Sequence, residues 1–344
     1  MPGKRVWVIG DIHGMLDPLN RLLRRIRLFE QERPATLTTL VFLGDYIDYG
    51  PSSREVLDLL LGLQQEMSCV FLAGNHEDML LQFLRRDELY CRFGNIWFRT
   101  NDGEETVASL CDDAALLPRL YAEEAPELVT PEDVRIPPRY LAFFESLAYA
   151  HCDQFTNGRQ TLKFAFCHGL LQAEDASGQG ASPAGANAAV EEQLALRTYD
   201  QFHTYRRDRK LWIENLHVWN RDVSPGRYGE YILVHGHTPT VLLDRFHPDP
   251  GAYDCTSGLP FLGFVRGPVN MRRHDAHIDV DARLEDLATI DVDTGAVYGK
   301  CLTALLLDEG DMLADFTLTA YQVHMDRAHR HGQDLSHVEF GFLP

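Results

Sequence analysis

The chain opens with a regular exchange between two hydrophobic periods. Residues 5–9, "RVWVI", form a short apolar run rich in β-branched residues, which predicts a buried strand. The next stretch, "MLDPLNRLLRRIRLFEQ", carries apolar residues at helical spacing, with Asp17 and Pro18 near its start as initiation signals. "TLVFL" predicts a second strand and "SSREVLDLLLGLQQE" a second helix, and "CVFLAG" with "EDMLLQFLRR" repeats the pair. Three strand–helix units in succession predict an α/β fold, with a largely parallel sheet and helices packed against it.

Later the pattern is less regular. "IPPRYLAFFESLAYA" predicts a helix running towards a strand, and "TLKFAFC" and "YILVH" predict further strands. Residues 191–216 read as helical, and 287–320 read as β-hairpin material. The Gly-, Ala- and Ser-rich stretch 172–190 has little to bury and reads as a mobile surface loop. Residues 244–286 mix proline and glycine with no clear period and read as an insertion or flap.

Composition narrows the function classes. With 344 residues, 45% of them hydrophobic, a substantial core is available. A formal net charge of −19 argues against general affinity for nucleic acid or an anionic membrane. The seven cysteines are odd in number and include no CxxC pair, so reduced thiols and a cytoplasmic setting are expected. The start, "MPGKRVWVIGD", enters a strand without a signal-peptide core, and no apolar run is long enough to span a membrane.

The candidate chemistry lies where strands end. "VWVI" is followed by "GDIHG", "LVFL" by "GDYIDYG", "VFLA" by "GNHE", "FAFC" by "HG", and "YILV" by "HGHTP". Ligands of open α/β sheets bind beyond the carboxyl ends of strands. Five such ends offer Asp11, His13, Asp45, Asp48, Asn75, His76, His168, His235 and His237. Aspartate and asparagine after glycine are ordinary turn residues, but turns do not require histidine in four places. Carboxylate, imidazole and amide oxygen together suit a hard or borderline divalent metal. The set exceeds what one ion needs, and two ions sharing a carboxylate would use it, a device common in phosphoester cleavage.

"GDIHG" at 10–14, "GDYIDYG" at 44–50 and "GNHE" at 74–77, in this order, resemble the signature of the phosphoprotein phosphatases within the calcineurin-like metallophosphoesterases. "CHG" at 167–169, "VWNR" at 218–221, "HGHTP" at 235–239 and "IDVDTGAVYGKCLTALLL" at 290–307 extend the likeness, the last three towards bacterial and phage serine/threonine phosphatases. The resemblance implies one catalytic domain over 1–344, built as a sandwich of two mixed β-sheets flanked by helices. It implies two divalent metal ions, manganese first and iron, zinc, nickel or magnesium next. Asp11 and His13 would hold one ion, Asp45 would bridge both, and Asn75, His168 and His237 would complete the second. His76 would protonate the leaving oxygen, oriented by Asp48, while Arg221 and Asn75 would grip the phosphoryl group. A hydroxide between the metals would attack a phosphorylated protein or small phosphoester. A symmetrical dinucleoside polyphosphate hydrolase shares these motifs, and a phosphoprotein-binding pseudophosphatase is the non-enzyme alternative.

One residue departs from the pattern. The resembled motif reads GDxxDRG, and Tyr49 stands where it has a phosphate-binding arginine. Tyrosine cannot supply a cationic fork. Three readings follow: another cation such as Arg54 supplies the missing charge, catalysis proceeds with weaker phosphate binding on a different substrate, or the chain is a binding protein with a metal site. His235 is a candidate supporting residue, Arg99 and Asn101 are candidates to face substrate, and His274 and His277 read as surface residues.

Overall fold

The computed structural model describes residues 3–87, 90–91, 95–122, 124–156, 161–173, 182–208, 228–240, 261–263, 270–274, 277–281, 287, 289–310 and 317–325. The predicted alternation is present as β1 (Lys4–Ile9), α1 (Leu16–Glu32), β2 (Leu37–Phe42), α2 (Ser53–Glu66), β3 (Ser68–Phe71) and α3 (Asn75–Arg85). Short helices follow: α4 (Ile96–Asn101), α5 (Gly103–Leu110), α6 (Leu117–Leu120), α7 (Ala125–Leu128) and α8 (Pro138–Ser146). Then come β4 (Ala150–Thr156), β5 (Thr161–Cys167), α9 (Pro183–Leu194), α10 (Tyr199–Asp208) and β6 (Tyr231–His235). The C-terminal strands are β7 (Phe261–Gly263), β8 (Asn270–Arg273), β9 (His277–Asp281), β10 (Thr289–Asp291), β11 (Cys301–Asp308) and β12 (Thr317–His324).

These strands make two mixed sheets, ordered β3-β2-β1-β11-β12-β9-β8 and β4-β5-β6-β10-β7. Among the described strands, β3-β2-β1 and β5-β6-β10 run parallel; β11 joins β1 antiparallel, so the expectation of a largely parallel sheet holds for the parts that carry the motifs. Alternate residues of β1 explain its continuous apolar run. Val6 and Val8 face the inter-sheet core with Val41, Leu305, Phe164, Phe166, Val234 and Ile290. Trp7 and Ile9 face the opposite layer, where Leu19, Leu22, Leu57 and Leu60 cover the sheet. A strand buried on both faces needs apolar residues at every position. A third cluster places Val190 and Leu194 of α9 against Ala165 and Leu233 on the outer face of the second sheet.

Two regions differ from expectation. Residues 183–190, read as loop, begin α9. Ser182 caps it by accepting from Gly185 N at 3.3 Å, Pro183 occupies the first turn, and Ala186, Ala189 and Val190 form its buried stripe. Alanine supplies both high helix propensity and close packing, which a composition reading takes for loop. Residues 174–181 lie outside the described residues. Within 244–286, β7 completes the second sheet and β8 and β9 extend the first, so this stretch contributes strands to both layers. No helix among the described residues is long and apolar enough to cross a membrane. The six described cysteines make no disulfide among the described residues.

Candidate metal centre and active site

The loops after β1, β2, β3, β5 and β6 converge on Asp45. Its Oδ2 lies 3.2 Å from His168 Nε2, 3.5 Å from His13 Nε2 and 3.9 Å from His76 Nε2. Its Oδ1 accepts from the His76 backbone N–H at 3.2 Å. Backbone geometry makes this approach possible. Asp45 follows Gly44, whose φ is 109° and whose missing Cβ would strike Gly74 N at 2.4 Å. His13, Asp45, Asp48, Tyr49 and His237 all have positive φ, which tightens these turns and turns short side chains inward.

A second group gathers around Asn75, the first residue of α3. Its Oδ1 lies 2.9 Å from His168 Nε2 and 2.8 Å from His237 Nδ1, and the two imidazole nitrogens are 3.2 Å apart. His237 N–H donates to Asp11 Oδ2 at 2.9 Å, which joins the loop after β6 to the one after β1. Asp11, His13, Asp45, Asn75, His168 and His237 are thus brought into one cluster, all buried except the partly buried His237.

The donor chemistry of this cluster fits cations. His13 Nδ1 faces Ile47 O at 2.9 Å and His168 Nδ1 faces Leu43 O at 3.1 Å, so these nitrogens carry the ring protons and donate. In the neutral form of each ring the Nε2 lone pair then faces the Asp45 carboxylate. Burial is the largest influence on His13 and, with the nearby His76, outweighs Asp45 to lower its pKa to about 4; the ring is neutral at pH 7. Asp11 Oδ1 is buried with no hydrogen-bond partner. Burial raises the Asp11 carboxyl, and the charges of Asp293, Asp45 and Asp291 raise it further. Lone pairs opposing carboxylates, an orphan oxygen and crowded buried acids are all relieved by divalent ions. Two His/Asp groups that share Asp45, His13–Asp45–His76 and Asp45–His168–His237, have ligand atoms within 4.8 Å of one another.

One member of these groups also belongs to a buried histidine–carboxylate pair. His76 Nδ1 lies 2.6 Å from Asp48 Oδ2. Asp48 also accepts from Trp97 Nε1 at 2.7 Å and from Thr106 Oγ1 at 2.5 Å, while its own N–H donates to Thr106 Oγ1 at 2.9 Å. Burial raises the Asp48 carboxyl against the pull of these hydrogen bonds. Trp97 and Thr106, from α4 and α5, escaped the sequence reading. A buried tryptophan N–H requires an acceptor, but no sequence pattern names which one.

Glu77 also escaped it, although it ends the quoted "GNHE". Its Oε2 accepts from Asp45 N and Gly74 N, each at 2.9 Å, and its Oε1 accepts from Tyr46 N at 2.8 Å. Its place three residues after Gly74 is the capping-box position, a signal available in the chain. Asp291 and Asp293, in the quoted "IDVDTG", are buried near Asp11; burial, then Asp45, raises Asp293 to about 7.

The other candidates separate. Arg54 does not supply the charge missing at Tyr49: its Nε donates to Ser109 O at 2.6 Å, and its Nη2 donates to Leu110 O and Asp112 Oδ1, each at 2.8 Å. It is tied to the C-terminal end of α5, whose unpaired carbonyls attract a cation. Arg99 pairs with Glu127 at the surface, whereas Asn101 Oδ1 accepts from Tyr49 OH at 3.4 Å. The Tyr49 ring packs edge-on against His13 at 5.0 Å and His76 at 5.1 Å. His235 is buried beside the cluster, its Nδ1 3.1 Å from Gly236 O, and burial lowers its pKa to about 4. Arg221 lies outside the described residues.

A family model described as calcineurin-like phosphoesterase matches residues 4–262. The chain belongs to that family. Its two mixed sheets with flanking helices are the architecture expected of that family. This metallophosphoesterase is 32% identical over 108 residues to serine/threonine-protein phosphatase 2 of Escherichia coli strain K12, covering 30% of this chain and 45% of that one. It is 38% identical over 85 residues to the symmetrical bis(5'-nucleosyl)-tetraphosphatase of Pseudomonas syringae pv. syringae, covering 24% and 26%. The match spans less than half the length of these curated relatives. Among solved structures, the cold-active protein-tyrosine phosphatase of a psychrophilic Shewanella aligns over 95% of this chain and 83% of its own, at 15% identity and a TM-score of 0.41.

Proposed function

We propose that this metallophosphoesterase is a dinuclear-metal phosphomonoesterase acting on phosphoserine or phosphothreonine in proteins, with phosphotyrosine open to the same chemistry. The observation that carries this reading is the buried His76–Asp48 pair set against Asp45, on which His13, His76 and His168 converge. Asp11, His13 and Asp45 would hold one ion, and Asp45, Asn75, His168 and His237 the other. Manganese is the first choice, with iron, zinc, nickel and magnesium the alternatives. Ions so held lower the pKa of a water and screen phosphoryl charge.

The chain's own residues supply the rest. His76 is the proton donor to the leaving oxygen, a role worth about 10²–10⁴-fold. Asp48 keeps the imidazole charged and aimed, with Trp97 and Thr106 fixing Asp48 in turn. Asn75 and Arg221 would hold phosphoryl oxygens. A cytoplasmic setting accords with the cysteine usage, and the name of the Escherichia coli relative supports a phosphoprotein substrate. The name of the Pseudomonas relative supports the second reading, hydrolysis of dinucleoside polyphosphates.

Metal-free protein restored with Mn²⁺ and offered phosphopeptides, p-nitrophenyl phosphate and diadenosine tetraphosphate separates these readings. Phosphopeptide kcat/KM should exceed that of the dinucleotide at least about tenfold, a difference of some 1.4 kcal/mol in transition-state binding. Dominant release of ADP from diadenosine tetraphosphate would establish the second reading. Tight phosphopeptide binding without turnover of any substrate would make the chain a binding module.

A further inference from the structure

A cluster of metal-type donors also lies away from the paired centre, on the antiparallel pair β8–β9. We propose that His274, His277 and Asp279 form a separate site for one divalent transition ion of the zinc class. Each residue offers a ligand atom, and these atoms lie within 4.8 Å of one another. His274 Nε2 is 3.1 Å from Asp279 Oδ2, and His277 Nε2 is 3.8 Å from Asp279 Oδ1, so the two rings address different oxygens of one carboxylate. The imidazoles are stacked with centroids 4.4 Å apart and planes 16° from parallel. Two protonated rings in that arrangement would repel, whereas two neutral rings can donate lone pairs to a shared cation.

The strand geometry builds this cluster. His277 and Asp279 are two residues apart on β9 and so share a face. His274 N–H donates to His277 O at 2.8 Å, one step beyond the Arg273–Ile278 pair, which sets the two histidines opposite each other. Neighbours on β12 hold the donors in place. Thr319 Oγ1 donates to Asp279 Oδ1 at 2.9 Å, and the Tyr321 ring stacks on His277 at 5.4 Å and 27°. Supporting contacts of this kind orient ligands and raise affinity. The opposite face of β9 presents Ile278 to the inter-sheet core, which anchors the strand.

Two imidazoles favour zinc, nickel or copper over magnesium or calcium. Three protein ligands leave a fourth position for water or an outside donor. The His274 and His277 side chains are 46% and 31% exposed, so an ion can enter from solvent. The site is distinct from the paired centre. His277 pairs with Tyr321, Tyr321 with Ala304, and Ala304 with Ile9, three strand spacings from β1, or about 14 Å. Such an ion would fasten β9 and its edge neighbour β8 to the β12 side of the sheet.

Zinc is the probe. Metal-stripped full-length protein is equilibrated in buffered Zn²⁺, and bound metal is counted by mass spectrometry alongside His274→Ala, His277→Ala and Asp279→Asn. The wild type should hold one zinc more than each variant, and the extra ion should bind at least tenfold more weakly once any donor is lost. All variants should keep the paired ions and turn over p-nitrophenyl phosphate within twofold of wild type. Equal zinc content in wild type and variants would overturn the proposal. So would the loss of more than one ion from all three variants, including the highly exposed His274→Ala, because the cluster would then not be separate.

Discussion

The His76 imidazole meets Asp48 at 2.6 Å in full burial, on the same helix turn that carries Asn75 into the candidate metal cluster. The proposed proton donor and a candidate metal ligand are therefore adjacent residues of one helix. Replacing His76 with asparagine should leave metal content intact and lower kcat by about 10²–10⁴. The loss should be smaller for p-nitrophenyl phosphate than for an alkyl phosphate, whose leaving oxygen needs the proton. Equal losses on both would remove the proton-donor role.

The charge state of His76 can be read directly in metal-free protein. Burial alone would lower its pKa, but the Asp45 and Asp48 carboxylates, with Glu77, outweigh it and hold it up at about 9, against an ordinary 6.5. The stabilisation from its imidazolium is thus fully present below about pH 6.5 and is lost as pH rises through about 9. NMR titration should place the ring near 9, and Asp48→Asn should move it towards 6.5 and flatten the alkaline fall in stability. An unchanged titration in Asp48→Asn would refute the coupling.

Asp45 is approached by three imidazoles, whereas His13 meets it from one side only. Asp45→Asn should therefore impair both ions, and His13→Ala chiefly one. Metal analysis that finds two ions and full activity in Asp45→Asn would exclude a bridging carboxylate.

Trp97→Phe and Thr106→Val each remove a hydrogen bond to a buried carboxylate, an interaction worth about 1.5–3 kcal/mol. Both should lower kcat about tenfold with KM little changed, and both should lower the His76 pKa through a less well-fixed Asp48. A change confined to thermal stability would show that these two residues only pack.

Tyr49 sits beside the candidate metal ligand His13 and the candidate proton donor His76, and Arg54 is committed elsewhere. Tyr49→Arg should therefore lower KM for small phosphate esters and strengthen inhibition by inorganic phosphate about ten- to a hundredfold, as one charge-assisted hydrogen bond allows. Tyr49→Phe should change little, since among the described residues the hydroxyl donates to Asn101 Oδ1 at a long 3.4 Å. Unchanged kinetics in both variants would show that this position does not face substrate.

Much of this site was legible because strand-end ligands recur in a fixed order. A strand period of two and glycine-bounded turns point Asp11, Asp45 and His168 outwards in ways that a linear pattern records. The residues behind them are not recorded so. Trp97 and Thr106 reach Asp48 from helices about fifty residues further along the chain, a tertiary contact with no local period. Glu77 was visible in its motif, but its role lies in binding the backbone of another loop. Residues 183–190 misled because small residues signal loop and close packing alike.

The left-handed backbone at His13, Asp45, Asp48, Tyr49 and His237 has a consequence for redesign. Each such conformation costs an ordinary residue about 1–2 kcal/mol. Selection for thermal robustness alone would favour glycine or asparagine at these positions, and it would remove the candidate site residues while doing so. Laboratory evolution of a hardier variant should therefore accumulate its gains in the outer helices and β-edges, leaving these turns untouched.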